Sequence, residues 1–336
     1  MKIFKLLFVV ITIIILASCQ NREHPERPVQ IRGEIFGTYY AVSYYCADGN
    51  NYKKQIDSLL NDFNQSMSYY ADNSVISKIN RNETDIMDDY FKIVLHRSLE
   101  IYEKTDGAFD ATVSPLVNAW GFGFANRKDM TQWKVDSILQ FVGSNMVSVD
   151  GEKVIKQDPR IQFDFNAIAK GYGTDLVADF LKSKGKNSYM VDIGGDLIVG
   201  NVKPDGSKWR IAIERPARKY DDPQEYDHII ELENRAIATS GSYRRYYEQD
   251  GQRHSHTIDP KTGYPVKNKL LSTTVFANNC MTADAYATAF MVMGLEKSRE
   301  FAENRDDLDA FFIFSKNTEE FGVYATDRLD IIELEK

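Results

Sequence analysis

The chain has 336 residues, 43% of them hydrophobic, with 41 Lys and Arg against 49 Asp and Glu for a formal net charge of −8. That length suffices for one large or two small domains with a well-buried core, and the acidic balance with no basic stripe excludes a nucleic-acid partner. The cysteines, Cys19, Cys46 and Cys280, lack the paired spacing of a structural zinc site.

At the N-terminus, Lys2 and Lys5 precede an apolar run from Leu6 to Leu16 broken only by Thr12, followed by Ala17-Ser18-Cys19. Such a run fits a signal-peptide core and is too short to cross a bilayer as a helix. The Leu-Ala-Ser-Cys ending resembles a bacterial lipobox, which implies cleavage before Cys19 and lipidation of that residue. Residues 1–18 are then expected to be a lipoprotein signal peptide, and 19–29, stiffened by Pro25 and Pro28, a membrane-proximal spacer. The domain 30–336 would sit in the bacterial cell envelope, lipid-anchored and facing the periplasm, with the inner membrane favoured over the outer. An oxidising compartment permits a disulfide between Cys46 and Cys280, although free buried thiols are the commoner state.

Next, residues 31–45 are rich in β-branched and aromatic side chains around Gly37 and predict an opening strand or hairpin. Helical apolar spacing over 51–66 (Ile56, Leu59, Leu60, Phe63) and 85–104 (Phe91, Val94, Leu95, Leu99) predicts two amphipathic helices. A third helix is expected from Ala167 to Lys184 and a fourth around 280–290. Short strands are expected at 161–165, 188–192, 209–214, 228–232, 253–258, 271–277, 310–315 and 320–324. Helices and strands mix without strict βαβ alternation, so the expected fold is α+β: a single domain with a mostly antiparallel or mixed sheet and packed helices.

Five segments depart from the pattern of a plain core. In CMTADAYATAF, residues 280–290, Asp284 stands among small apolar residues with no basic residue within four positions. On a helix Asp284 and Thr288 form an i,i+4 pair whose oxygens could share a hard cation; alternatively Thr282 caps a helix start and Asp284 meets its positive end. DGAFDATVSPLVNAWGFG, residues 106–123, offers glycines for close approach and the flat faces of Phe109, Trp120 and Phe122, or else is a packed loop corner. DFNAIAKGYGTD, residues 164–175, puts Lys170, Gly171 and Gly173 in the first turns of a helix, which suits an anion but is not a Walker A loop. DIGGD, residues 192–196, reads as a tight turn between strands. His256-Thr257-Ile258-Asp259-Pro260, preceded by ATSG at 238–241, is either a turn with a bystander histidine or a site where Asp259 holds His256.

Taken in order, these motifs resemble the FAD:protein FMN transferases, the ApbE-type flavin transferases. The likeness runs from Phe36-Gly37-Thr38 through Gly107-Ala108-Phe109-Asp110, Ala169-Lys170-Gly171-Tyr172, Gly194-Gly195-Asp196 and the 256–265 segment to Ala283–Thr288. It implies Mg²⁺-dependent transfer of FMN from FAD, as substrate, to a threonine hydroxyl of an acceptor protein, with release of AMP. The family's metal ligands map to Asp284, Thr288 and the Ala167 carbonyl. Its FAD contacts map to Phe36, Tyr70, Ala108, Phe109, Asp110, Asp164, Lys170 and Thr257. Phe36 replaces the usual methionine, and Ala287 stands where some members carry an aspartate, leaving a second metal-binding carboxylate without support. His256 and Asp284 are the expected catalytic residues, His256 for phosphate contact or proton transfer. The acceptor implied is a flavoprotein subunit of an ion-pumping electron-transport complex. An FAD pyrophosphatase that gives free FMN would need nearly the same site, whereas a non-catalytic membrane-tethered flavin carrier would have little use for Asp284.

Overall fold

A computed structural model describes residues 26–123, 130–216, 225–242, 246–249, 252–255, 257–317 and 320–334. Cys19 and His256 lie outside the described residues. Strand β1 (Arg27–Ile35) turns through Phe36-Gly37 into β2 (Thr38–Cys46). Both turn residues have positive φ, 55° and 71°, the type I′ geometry that matches the twist of a two-residue hairpin. Helices α1 (Lys53–Met67), α2 (Val75–Asn80), α3 (Asp89–Lys104), α4 (Ser114–Ala119) and α5 (Gln132–Leu139) follow. The hairpin β3 (Val147–Asp150) and β4 (Lys153–Lys156) precedes α6 (Ala169–Ser183). Then come β5 (Tyr189–Ile193), β6 (Asp196–Val199), β7 (Trp209–Glu214), β8 (Tyr226–Leu232) and β9 (Arg235–Gly241). A hairpin of β10 (Tyr246–Gln249) and β11 (Gln252–Ser255) leads to β12 (Leu270–Ala277). Helices α7 (Cys280–Met293) and α8 (Leu295–Glu303) and strands β13 (Asp309–Ser315), β14 (Phe321–Ala325) and β15 (Ile331–Glu333) complete the described chain.

Among the described residues, eight strands form the main sheet in the order β1-β2-β5-β6-β9-β12-β13-β14, every neighbouring pair antiparallel. Alternation along a strand sends successive side chains to opposite faces. Ile198 and Ala236 thus meet Val177 and Leu181 of α6 on one face. On the other face Leu197, Val199 and Ile237 meet Trp209, Ile213 and Ile230 of a second sheet, β15-β8-β7. Helix α7 is buried almost all round between the main sheet and the helices α6 and α8, as expected of a helix apolar on every side.

The α+β fold with its antiparallel sheet follows the expectation, and the predicted helices agree with α1, α3, α6 and α7 to within a few residues. The strand expected at 161–165 is absent. Ile161, Phe163 and Phe165 do alternate into the core, but the Asn80 side chain donates to the Phe163 carbonyl (2.8 Å) and accepts its N–H (2.7 Å), in the place of a neighbouring strand. The first strand also begins inside the segment read as spacer, because Arg27, Pro28 and Val29 pair with Cys46, Tyr45 and Tyr44. Cys46 and Cys280 are free, buried thiols.

Candidate active site

Asp284 is 6% exposed on the second turn of α7. Its position depends on Gly171: a Cβ there would come within 2.9 Å of Asp284 Cβ and closer still to the Cys280 carbonyl. With no side chain in the way, α6 and α7 approach until the Gly171 N–H donates to Asp284 Oδ2 at 3.1 Å. Gly173, two residues on, makes room instead for the Phe36 ring, which also packs edge-on against Phe63 at 5.6 Å. Both glycines of the 171–173 motif are therefore packing glycines, a role the anion reading of that segment did not contain. The cap of α7 is Asn279, which accepts the Thr282 N–H at 2.9 Å. Thr282 is not the cap, and Asp175 of α6 accepts the N–H groups of Cys280 (2.7 Å) and Met281 (2.8 Å).

Lys170 ion-pairs with Asp196, which opens β6 directly after the Gly194-Gly195 turn. Burial and the adjacent Asp196 push the Asp284 carboxyl well above the usual carboxylate range, against the pull of Lys170 and the Gly171 N–H. Burial alone would lower the Lys170 ammonium, but Asp196 and Asp284 outweigh it and hold it above its ordinary value. Two buried carboxylates thus face one lysine. On the same face of α7, Thr288 shares a hydrogen bond with Ser240 of β9 at 3.1 Å. Asp196 and Ser240 belong to this cluster although neither is among the expected site residues; the Gly-Gly-Asp and Ala-Thr-Ser-Gly motifs that carry them are the available signal.

The other expected site residues lie on several loops: Tyr70 after α1, Ala108, Phe109 and Asp110 after α3, Asp164 and Ala167 before α6, and Thr257 after β11. Ala167 is in the turn before that helix. Asp164, its carboxyl raised by burial, accepts the Asn166 N–H at 2.8 Å, and its own N–H donates to the Ala111 carbonyl at 2.7 Å. That bond ties the 108–111 loop to the approach to Lys170. Ala108 and Phe109 are buried in this loop. The Asp110 carboxylate points inward, accepting from Thr112 (2.8 and 2.7 Å) and Ser144 (2.7 and 3.1 Å), so it braces the loop. Thr257 begins a small hairpin closed by the Val266 N–H to Thr257 carbonyl bond, 3.0 Å. The hairpin is docked by Trp120 Nε1 on the Gly263 carbonyl, 2.7 Å, and by the Lys261–Asp106 ion pair. Tyr70 is 72% exposed beside Tyr69, whose hydroxyl accepts from Asn118 of α4 at 2.8 Å. Asp284 and Lys170 thus belong to one buried charge cluster with Thr288 on the same face of α7, Ala108, Phe109, Asp110 and Asp164 lie in braced loops, and Tyr70 is at the surface.

Among the described residues no three of His, Cys, Asp and Glu converge as a ready-made metal cage. A cation at Asp284 would therefore take the rest of its oxygens from hydroxyl, carbonyl or substrate groups.

The profile of the ApbE family matches residues 36–312. The sequence is 40% identical over 301 residues to the FAD:protein FMN transferase of Vibrio cholerae, covering 87% of this chain and 88% of that protein. To the one of Haemophilus influenzae it is 36% identical over 307 residues, 87% of each. The solved flavin transferase ApbE from Vibrio cholerae superposes with a TM-score of 0.80 at 37% identity, over 90% of this chain and 98% of that one. The apo flavinyl transferase ApbE of Pseudomonas stutzeri gives 0.81 at 33%, over 90% and 96%.

Proposed function

Since this chain belongs to the ApbE family, we propose that it is an Mg²⁺-dependent FAD:protein FMN transferase that moves FMN to a threonine hydroxyl of an acceptor protein and releases AMP. The observation that supports this most is the cluster of Asp284 and Asp196 around Lys170. With both carboxylates ionised against one ammonium the cluster would hold an excess negative charge that is costly to bury, and a cation there would relieve that cost. The donor set fits Mg²⁺, which is usually held by one or two carboxylates together with substrate phosphates. Asp284, Thr288 and the Ala167 carbonyl would hold it. Bound there, the ion supplies Lewis-acid polarisation of the FAD pyrophosphate.

The chain's own groups bind and orient. Lys170, kept cationic by its neighbours, meets a phosphate oxygen; Phe36, Tyr70, Ala108, Phe109, Asp164 and Thr257 border the flavin and nucleotide; Asp110 fixes the loop that carries Phe109. The acceptor's hydroxyl oxygen forms a bond to the FMN phosphorus as the bond from that phosphorus to the AMP oxygen breaks. The hydroxyl proton goes to a base, for which His256 is the candidate. The enzyme's task is chiefly to align these atoms. Signal peptide 1–18 and lipidated Cys19 would tether the domain in the cell envelope facing the periplasm, within reach of a flavoprotein subunit of an ion-pumping electron-transport complex.

The test is incubation with FAD, Mg²⁺ and a candidate acceptor, followed by mass analysis. The acceptor should gain the mass of FMN in step with AMP release, and Thr→Ala in the acceptor motif should stop labelling. Rapid formation of AMP and free FMN regardless of acceptor would replace the transferase reading with a hydrolase.

A further inference from the structure

Helix α7 carries a second pair of hydroxyls on the side away from Asp284 and Thr288. Thr282 and Tyr286 are again spaced i,i+4 and lie roughly 200° around the helix from the acid pair. They line a cavity of about 200 Å³ shared with Arg97 and Lys104 of α3 and with Arg305 and Asp307 beyond α8. Thr282 is 8% exposed and Tyr286 1%, and neither Thr282 Oγ1 nor Tyr286 Oη has a hydrogen-bond partner. A buried hydroxyl left unmatched costs about 1–3 kcal/mol, so an occupant that accepts from both would be stabilised here.

Three features define the occupant. The α7 backbone supplies nothing, because the N–H groups of Cys280 and Met281 go to Asp175 and that of Thr282 to Asn279. The occupant must therefore be recognised by side chains. Burial raises the Tyr286 phenol, which keeps its proton and donates. Finally, three cations face the cavity with only two carboxylates among them: Glu100 bridges Arg97 (2.7 Å) and Lys104 (2.5 Å), and Asp307 pairs with Arg305 (2.8 Å). A positive surplus beside two unpartnered hydroxyls favours an oxyanion, and donors from several directions suit a tetrahedral one better than a planar carboxylate.

We propose that this cavity binds a phosphate-class oxyanion, either inorganic phosphate or the phosphate of a monoester such as a nucleoside monophosphate, at a site separate from the Asp284 cluster. The cavity has room for such a group with a few waters, given roughly 30 Å³ per water. Binding joins α3, the N-terminal turns of α7 and the segment after α8.

The test uses the full chain without FAD or Mg²⁺, titrated with inorganic phosphate, AMP, acetate and chloride at matched ionic strength, followed by calorimetry and thermal melting. Phosphate should bind saturably and raise the melting temperature, whereas acetate and chloride should not; a response to AMP as well would admit the monoester. Thr282→Val and Tyr286→Phe should each weaken binding by about ten-fold or more, the loss expected for a hydrogen bond to a charged group. In phosphate-free buffer Tyr286→Phe should melt no lower than the parent, since its hydroxyl satisfies nothing in the empty cavity. Should either variant fold poorly, Arg305→Met, at the cavity rim, carries the same binding expectation. Asp284→Asn should leave phosphate affinity intact. The proposal is overturned by absence of saturable phosphate binding, by an equal response to acetate or chloride, or by loss of binding in Asp284→Asn with retention in Tyr286→Phe.

Discussion

A methyl group at position 171 has nowhere to go, because backbone rather than a pliable side chain blocks it. Gly171→Ala must push α6 from α7 and stretch the Gly171–Asp284 bond, so we expect a loss of about 1–3 kcal/mol in urea unfolding and a larger fractional loss of FMN transfer. Asp284→Asn should separate stability from activity. It removes a buried charge that its surroundings disfavour, so unfolding in the absence of Mg²⁺ should need as much urea as for the parent or more. Mg²⁺-dependent turnover should fall to background, and a variant within a few-fold of the parent would refute the assignment of Asp284. At this scale the sequence is informative wherever a placement is set within one element. Asp284 with Thr288 on α7 and Lys170 on α6 were readable from spacing and residue type. Asp196 was not, because its pairing with Lys170 exists only once β6 has folded beside α6. Nor were the roles of the two glycines, which are set by what packs against them.

The start of α7 shows how one helix is set by another. Asp175 on α6 is buried and accepts two of the first α7 N–H groups, and burial outweighs those bonds to raise its carboxyl to about 7. In the unfolded chain the same group titrates near the ordinary aspartate value of about 3.9. Its contribution to stability is therefore full below about pH 4 and is lost as pH rises through about 7. Urea unfolding at steps from pH 5 to 8 should show stability falling with pH, and Asp175→Asn should flatten that slope while lowering stability at pH 5, since an amide can accept less well from both N–H groups. An equal slope in parent and variant would assign the effect to other buried acids. Helix α7 is legible from its small apolar residues; the cap alternative placed at Thr282 falls instead on Asn279, a local contact to the Thr282 N–H, whereas the Asp175 brace depends on the approach of α6. The 161–165 segment teaches the complementary lesson: alternating burial identifies an extended chain, yet whether a strand or an asparagine side chain satisfies it depends on a residue 83 positions away.

For the whole molecule, the expected α+β class and antiparallel sheet were readable because strand-like and helix-like stretches mix irregularly. The domain start was less so, since Arg27–Val29 owe their strand conformation to β2 rather than to their own propensity. A soluble version beginning at Glu26 should melt with the full-length protein, while one beginning at Gln30 should melt several degrees lower through loss of the Arg27–Val29 pairing and the packing of Val29. Both should still transfer FMN, because nothing in 26–30 approaches the Lys170–Asp284 cluster.

The order of strands in the main sheet rises steadily with position in the chain, from β1 at one edge to β14 at the other. A polypeptide threading out from its N-terminus can therefore add each new strand to a free edge of what has already formed, with no strand waiting for a later one to be slipped between. The intervening hairpins and helices are excursions from that growing edge. Within the main sheet the hairpin pairs β1–β2, β5–β6 and β13–β14 are local, whereas Tyr40 of β2 must wait for Ile193 of β5, a non-local pairing of the kind that slows assembly. The same order bears on the charge cluster: Lys170 and Asp196 precede β9 in the chain, whereas Asp284 follows β12. A chain that has emerged only as far as β9 would therefore hold Lys170 and Asp196 without the second buried acid, Asp284.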